Sequence, residues 1–212
     1  MEVGIIGAGN VGRALASSSI RAGYAVTISA SDPEHARNLA AEIGGRAARS
    51  NREAIDAAEV VVLAVPCQAL DGLLDEVGDA IGGKIVIDVT NRVNPADPGL
   101  VLDGTSAAEQ IQRRVPSARV VKAFNYAFAS NQADPVVEGT QLDGFVAGDD
   151  EEAKSKVLDL VRSIGFRPID AGPLAMARAL EALGLLNIML QIRNDWAWQS
   201  GWKLVGPAEP AA

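Results

Sequence analysis

Gly7-Ala8-Gly9-Asn10-Val11-Gly12 sets three glycines at the spacing G-x-G-x-x-G, directly after the apolar run Val3–Ile6 and directly before an Ala-rich stretch. The spacing alone is a weak signal. It gains weight where it leaves a buried strand and opens a helix, as here. The three glycines then do different things. Gly7 makes a tight turn, Gly9 lets a pyrophosphate approach the backbone, and Gly12 lets the helix close on the sheet. The unpaired N–H groups at the positive end of a helix starting at Asn10 would receive the phosphates. The alternative is a permissive strand-to-helix turn with no ligand, but glycine costs stability wherever it is not needed.

The end of the second strand selects the nucleotide. An NAD site usually carries Asp or Glu there, whereas this chain reads Ser29-Ala30-Ser31-Asp32. Asp32 precedes Pro33 and is better explained as a helix N-cap. The hydroxyls of Ser29 and Ser31, with His35 and Arg37 a turn further on, could receive a 2′-phosphate. His35 and Arg37 could equally be solvated residues of an exposed helix. NADP is the favoured reading, although no Arg stands at 30 or 31.

Ligands of a doubly wound sheet lie outside the carboxyl ends of its strands, and three more segments belong there. Ala64-Val65-Pro66-Cys67 offers a small, rigid, apolar wall. Cys67 has no sequence sign of a paired base and reads as a small hydrophobe or bystander. Asp88-Val89-Thr90-Asn91 supplies Asn91, a neutral donor and acceptor, while Asp88 could cap or brace the loop. Lys122-Ala123-Phe124-Asn125, with Tyr126 and Phe128, gathers aromatics in an aromatic-poor chain. They could flank a planar partner or pack beneath a loop. Lys122 is expected to bury its stem and project its amine.

These residues need a frame. Apolar runs at Val3–Ile6, Tyr24–Ser29, Val60–Ala64, Lys84–Asp88, Arg119–Ala123, Phe145–Ala147 and Phe166–Asp170 read as strands, with Arg46–Ala48 as a short edge strand. Helical patterns fall at Asn10–Ala22, from Asp32-Pro33 to Ile43, and at Arg52–Ala57, Gln68–Ile81, Ser106–Arg114, Asp150–Ser163 and Leu174 to about Trp198. Such alternation predicts an α/β fold: a Rossmann-type, doubly wound, mostly parallel sheet with a long C-terminal helix. The expected division is a dinucleotide-binding part over 1–125 and a small C-terminal portion over 126–212 that extends the sheet. Thr90–Asp103 reads as a loop too long for mere linkage, Phe124–Thr140 lacks periodicity, and the tail from Gly206 reads as frayed.

Composition narrows the class. The chain has 212 residues, 48% apolar, and a formal charge of −8, which disfavours nucleic acid as a partner. One cysteine and one histidine are too few for a disulfide or a metal cluster. Neither a signal peptide nor an uninterrupted apolar stretch of membrane-spanning length is evident, so a cytoplasmic protein is expected. The apolar C-terminal helix, followed by Trp196, Trp198 and Trp202, suggests a face for a second subunit, with the tryptophans at the interface or over an acceptor site.

VGIIGAGNVG (3–12), Ser29-Ala30-Ser31-Asp32-Pro33, AVP (64–66), DVTN (88–91), VVKAFN (120–125), VAGDD (146–150) and DAGPLAMARALE (170–181) occur in an order that resembles the NADP oxidoreductases related to coenzyme F420-dependent NADP reductase. The resemblance covers nearly the whole chain. It implies a Rossmann fold with a small C-terminal portion, usually a homodimer, and hydride transfer between NADP(H) and the deazaflavin F420 or a flavin-like small-molecule acceptor. It implies that the backbone at Ala8–Val11 holds the pyrophosphate. Ala30, Ser31 and His35 would match the adenosine-phosphate loop, and Val65, Gln68, Asn91 and Ala123 would surround the nicotinamide half. Asn91 and Asn125 would orient rings and amides, Pro66 and the Phe124/Phe128 pair would shape the slot, and FASNQ (128–132) would lie near the acceptor. The family commonly has Ser-Arg where this chain has Ala30-Ser31. Two other classes stay open: an NAD(P)H-dependent reductase of a small carbonyl or imine, and a non-catalytic NADP(H)-sensing domain.

Overall fold

The structure, a computed structural model, describes residues 1–92 and 104–206. The loop expected at Thr90–Asp103 therefore lies, from residue 93 on, outside the described residues, as does the tail from residue 207.

Among the described residues, one sheet of eight strands runs in the order β10-β9-β6-β5-β4-β1-β2-β3. The strands are β1 (Glu2–Ile6), β2 (Ala25–Ser29), β3 (Arg46–Ala47), β4 (Val60–Leu63), β5 (Ile85–Asp88), β6 (Arg119–Ala123), β9 (Asp143–Gly148) and β10 (Arg167–Gly172). Strands β1 to β6 pair in parallel, giving the doubly wound order 3-2-1-4-5-6. β9 joins β6 antiparallel, with Lys122 opposite Ala147, and β10 joins β9 in parallel. The C-terminal part thus extends the same sheet. β4 and β5 read VVVL and IVID and are buried along their whole length, as strands covered on both faces must be.

The helices are α1 (Asn10–Arg21), α2 (Pro33–Ile43), α3 (Asn51–Asp56), α4 (Leu70–Val77), α5 (Ala107–Arg114), α6 (Ala129–Ala133), α7 (Glu151–Ser163) and α8 (Ala177–Asn194). They and the sheet enclose two buried apolar layers. One holds Ile5, Leu15, Ile28, Val62, Val121 and Phe166, and the other Ile6, Ile55, Leu63, Leu74, Val86 and Ile111. Side chains cap several helix starts: Asp32 accepts from the Glu34 N–H, Ser50 from Glu53, Ser106 from Glu109 and Asp150 from Ala153.

Several expected elements are divided differently. The helix over Gln68–Ile81 is a 3-10 turn, Cys67–Ala69, followed by the shorter α4. The aperiodic stretch after Phe124 holds α6 and a hairpin of β7 (Val136–Val137) and β8 (Thr140–Gln141). The last helix begins after a 3-10 turn at Leu174–Met176 and stops at Asn194, where Asp195 takes φ +52°. By length and composition Leu174–Asn194 could cross a membrane. A search for uninterrupted apolar runs passes over it because Glu181 and Arg193 break the pattern. Within the fold, this helix lays Leu180, Glu181, Gly184, Leu185, Asn187 and Gln191 against the rest of the chain, and three of those are polar.

Beyond α8 the chain doubles back. Gln191 Oε1 accepts from the Trp198 N–H (3.0 Å), and Ser200 Oγ donates to Asn187 Oδ1 (2.6 Å). Asp143, fully buried, then clasps the end: it accepts from Arg167 (2.6 and 2.7 Å) and from the Leu204 N–H (2.6 Å), with Lys203 at 3.2 Å. Burial alone would push the Asp143 carboxyl up, but these partners together hold it below its ordinary range.

Candidate functional site

The glycine turn has the geometry its spacing implies. Gly7 takes φ +114°, and a Cβ there would lie 2.2 Å from the Ala64 carbonyl oxygen. A Cβ on Gly12 would lie 1.9 Å from the Gly7 carbonyl oxygen, so α1 closes on the turn backbone to backbone. Gly9 differs: a Cβ there meets nothing within 4 Å. It is the N-cap of α1 and carries no side chain to cap the first N–H groups of the helix. Two glycines are thus required by packing, while the third keeps clear the space over a helix N-terminus.

That space belongs to a cleft of about 370 Å³ lined by Gly7, Gly9, Ala30, Ser31 and Ala64–Pro66 among others. Asn51, Ala69, Leu73 and Glu76 also line it, and sequence reading missed all four. Ser29 is buried, and its hydroxyl donates to Asn51 Oδ1 (2.8 Å) rather than facing a ligand. Ser31, His35 and Arg37 are exposed. Asp32 is engaged as the N-cap, and His35 Nε2 stands 3.9 Å from its carboxylate. Gln68 is exposed in the 3-10 turn, and Ala123 is fully buried, so its side chain belongs to the core. Burial pushes the half-buried Cys67 thiol up, which disfavours a nucleophilic thiolate.

At the ends of β5 and β6 stands a fully buried charge cluster. Lys122 Nζ donates to Asp88 Oδ2 (2.8 Å), Glu181 Oε1 (2.9 Å) and the Thr90 carbonyl (2.5 Å). The amine therefore does not project outward, a correction to the expectation from its position. Glu181 lies 59 residues further along the chain, and no local pattern marks it as the partner. Asp88 Oδ1 also accepts from the Thr90 N–H (2.9 Å) and so braces the loop. Burial works against the charged amine, but Asp88 and Glu181 outweigh it and hold Lys122 above its ordinary value. Burial raises the Glu181 carboxyl against the pull of Lys122. Its Oε2 has no hydrogen-bond partner among the described residues.

Beside this cluster Asn91 and Asn125 bond each other: Asn125 Nδ2 donates to Asn91 Oδ1 (2.8 Å) and to the Leu180 carbonyl (2.9 Å), and Asn91 Nδ2 donates to the Asn125 carbonyl (2.6 Å). The Asn125 Oδ1 has no hydrogen-bond partner among the described residues. The aromatic residues do not form one platform. Phe124 is buried edge-on to Phe166, Tyr126 to Phe145, and Phe128 to Trp198. The expectation that Phe124 and Phe128 jointly shape a slot is thus corrected. Phe124 takes φ +64°, an uncommon conformation for a bulky residue, and turns the chain inward. Tyr126 is buried and its hydroxyl is pushed up by that burial. Asn131 and Gln132 of the FASNQ segment are buried too, donating to the Ser200 and Phe124 carbonyls.

A mostly parallel sheet with an open glycine turn at its carboxyl edge defines a Rossmann-type dinucleotide-binding fold. The sequence model of the family described as NADP oxidoreductase, coenzyme F420-dependent, matches residues 2–92. The F420-dependent NADP reductase of Methanothermobacter marburgensis is 34% identical over 212 residues, covering 92% of this chain and 94% of that protein. The chain belongs to this family. A crystal structure from Arthrobacter sp. FB24, provisionally described as an F420-dependent NADP reductase, superposes with a TM-score of 0.85 at 29% identity, covering 97% of this chain and 100% of that one. The metalloreductase STEAP3 of Rattus norvegicus is 33% identical over 185 residues, 87% of this chain, but the chain spans only 36% of that protein's length.

Two pairs of substitutions probe these arrangements. Gly9→Ala, with open space around the new methyl, should melt like the wild type yet bind NADPH at least tenfold more weakly, because the methyl enters the phosphate space. Gly12→Ala should lower the melting temperature; equal melting of both variants would contradict the packing difference. Lys122→Met leaves two buried carboxylates without their cation and should cost about 3–5 kcal/mol in denaturant unfolding at neutral pH. The raised Glu181 value means that its contribution is held below the ordinary glutamate range and lost as pH rises through that raised value. Glu181→Gln should flatten that part of the stability–pH profile.

Proposed function

We propose that this protein transfers a hydride between NADP(H) and the deazaflavin F420 or a related flavin-like ring. The observation that carries the nucleotide half is the open surround of Gly9 over an N-terminus with no side-chain cap, between two glycines that packing requires. The acceptor half rests on the likeness to the F420-dependent NADP reductases over most of both chains.

In this reading the backbone N–H groups of Ala8–Val11 hold the pyrophosphate. Ser31, with His35 at the adjacent helix start, receives the 2′-phosphate. Ala64, Val65, Pro66 and Gln68 wall the nicotinamide side, and Asn91, Ala123 and Asn125 form its floor through backbone and shape, since their amides bond mainly to each other and to α8. The bound dinucleotide supplies the hydride and the electronics of the reaction. The chain would contribute alignment of the donor and acceptor carbons and exclusion of water. Lys122, Asp88 and Glu181 are committed to one another, and the Cys67 thiol is held protonated. That suits a transfer between two ring carbons, which asks for no positioned general acid or base.

α8 and the segment after it leave Leu186, Ile192, Trp196 and Trp198 about half exposed. We assign this face to a second copy of the chain, with residues 126–212 serving the dimer and the acceptor side. Sedimentation at micromolar concentration should show a dimer; a monomer would refute that assignment. For the reaction, anaerobic mixing of the protein and NADPH with F420, FMN and FAD in turn should bleach F420 or one of the flavins together with the NADPH absorbance. Tight NADPH binding with no turnover on any of the three would favour a sensing role instead.

A further inference from the structure

Resting on the nucleotide reading above, we infer that Glu76 reads the adenine ring by accepting a hydrogen bond from its exocyclic amine. The cleft beyond the glycine turn is walled by Pro66, Ala69 and Leu73, apolar surfaces that suit the face of a planar base. Asn51 and Glu76 supply a polar edge to the same cleft. Asn51 is fixed there: its Oδ1 accepts from the Ser29 hydroxyl (2.8 Å), and its Nδ2 donates to both carboxylate oxygens of Glu76 (3.1 and 3.3 Å). This chain of bonds runs from the end of β2 through the start of α3 to α4, so the carboxylate is oriented by the fold as well as by solvent.

What Asn51 leaves over is acceptor capacity on Glu76. A carboxylate has about four lone-pair sites and no donor, and one amide group occupies part of them. The carboxylate can only accept, and it is matched by the base edge that donates. Adenine has one exocyclic donor, its amine; hypoxanthine carries a carbonyl in that place, which would set acceptor against acceptor. A charged acceptor makes the stronger kind of hydrogen bond, and mismatching it has a large effect on affinity. Glu76 is therefore a specificity-determining residue for the base, separate from the groups that hold phosphate.

The test compares binding of NADPH and of nicotinamide hypoxanthine dinucleotide phosphate (reduced form) by fluorescence titration, in the wild type and in Glu76→Gln. Gln keeps an oxygen for Asn51 and adds an amide donor that can meet the hypoxanthine carbonyl. The wild type should prefer NADPH by about tenfold, and the variant should bring that ratio close to one with an unchanged melting temperature. Equal affinities in the wild type would overturn the inference while leaving the nucleotide cleft intact. So would a variant that binds both forms more tightly with the ratio preserved, since the carboxylate would then be acting on phosphate charge. Binding of neither form overturns the nucleotide reading and this inference together.

Discussion

At the β1–α1 turn, backbone lies where side chains would otherwise stand. The Gly7 carbonyl sits under α1 so closely that Gly12 can carry no Cβ, and the Ala64 carbonyl leaves Gly7 none either. Three pieces of chain, the turn, the helix and the exit of β4, are thereby locked at contact distance. That contact sets where the helix N-terminus points relative to the sheet edge, and it fixes the Ala64–Pro66 wall opposite. The cleft between them inherits its shape from main-chain packing, which is less able to relax than side-chain packing. Because Gly9 brings no capping side chain, the donors at that end remain free of local competition.

A second constraint ties the C-terminal helix to the same edge. Lys122 on β6 is bonded to Asp88 on β5 and Glu181 on α8, all without solvent exposure. The Asn91–Asn125 pair reaches Leu180 on the same helix. A buried ion cluster is poor evidence of net stability, since desolvation offsets much of the attraction. Its geometric effect is firmer: directional bonds fix the rotation and height of α8 over the strand ends, where an apolar contact would allow sliding. The left-handed Phe124 belongs to this arrangement, since it turns Asn125 toward the helix while burying its own ring. We read it as backbone strain held by the packing around it.

Local features are legible in the sequence, and long-range pairings are not. The glycine turn can be assigned glycine by glycine because each position depends on neighbours within six residues or on the adjacent strand. Asp32 can be read as a cap for the same reason. The central strands announce themselves as apolar runs, β4 (VVVL) and β5 (IVID) above all. Lys122 defeats such reading because its fate depends on Glu181, far along the chain on a helix whose pattern reads as apolar. The aromatic residues cluster in sequence but separate in space, each finding a ring on a different element. Asn51 and Glu76 carry no signal, since an Asn opening a helix and a Glu on an exposed face are ordinary surface residues until the fold brings them to one cleft.

The electrostatics of the cleft follow from which groups do the holding. A chain with formal charge −8 must bind an anionic dinucleotide without a general basic field. Arg13, the cation in the first turns of α1, is paired with Glu42 at 2.5 Å and does not supply one. On the proposed reading the pyrophosphate would fall to neutral, oriented N–H groups, whose attraction decays within about one helical turn. On the same reading the ribose phosphate would meet His35 and Arg37, both out in solvent. Charges so placed are screened over about 8 Å at physiological salt. Holding the part common to both nicotinamide nucleotides would then be a matter of backbone geometry acting at contact. Choosing between them would fall to exposed, screened groups, and the lack of an Arg at 30–31 would weaken binding of the phosphorylated nucleotide and so narrow the difference between the two.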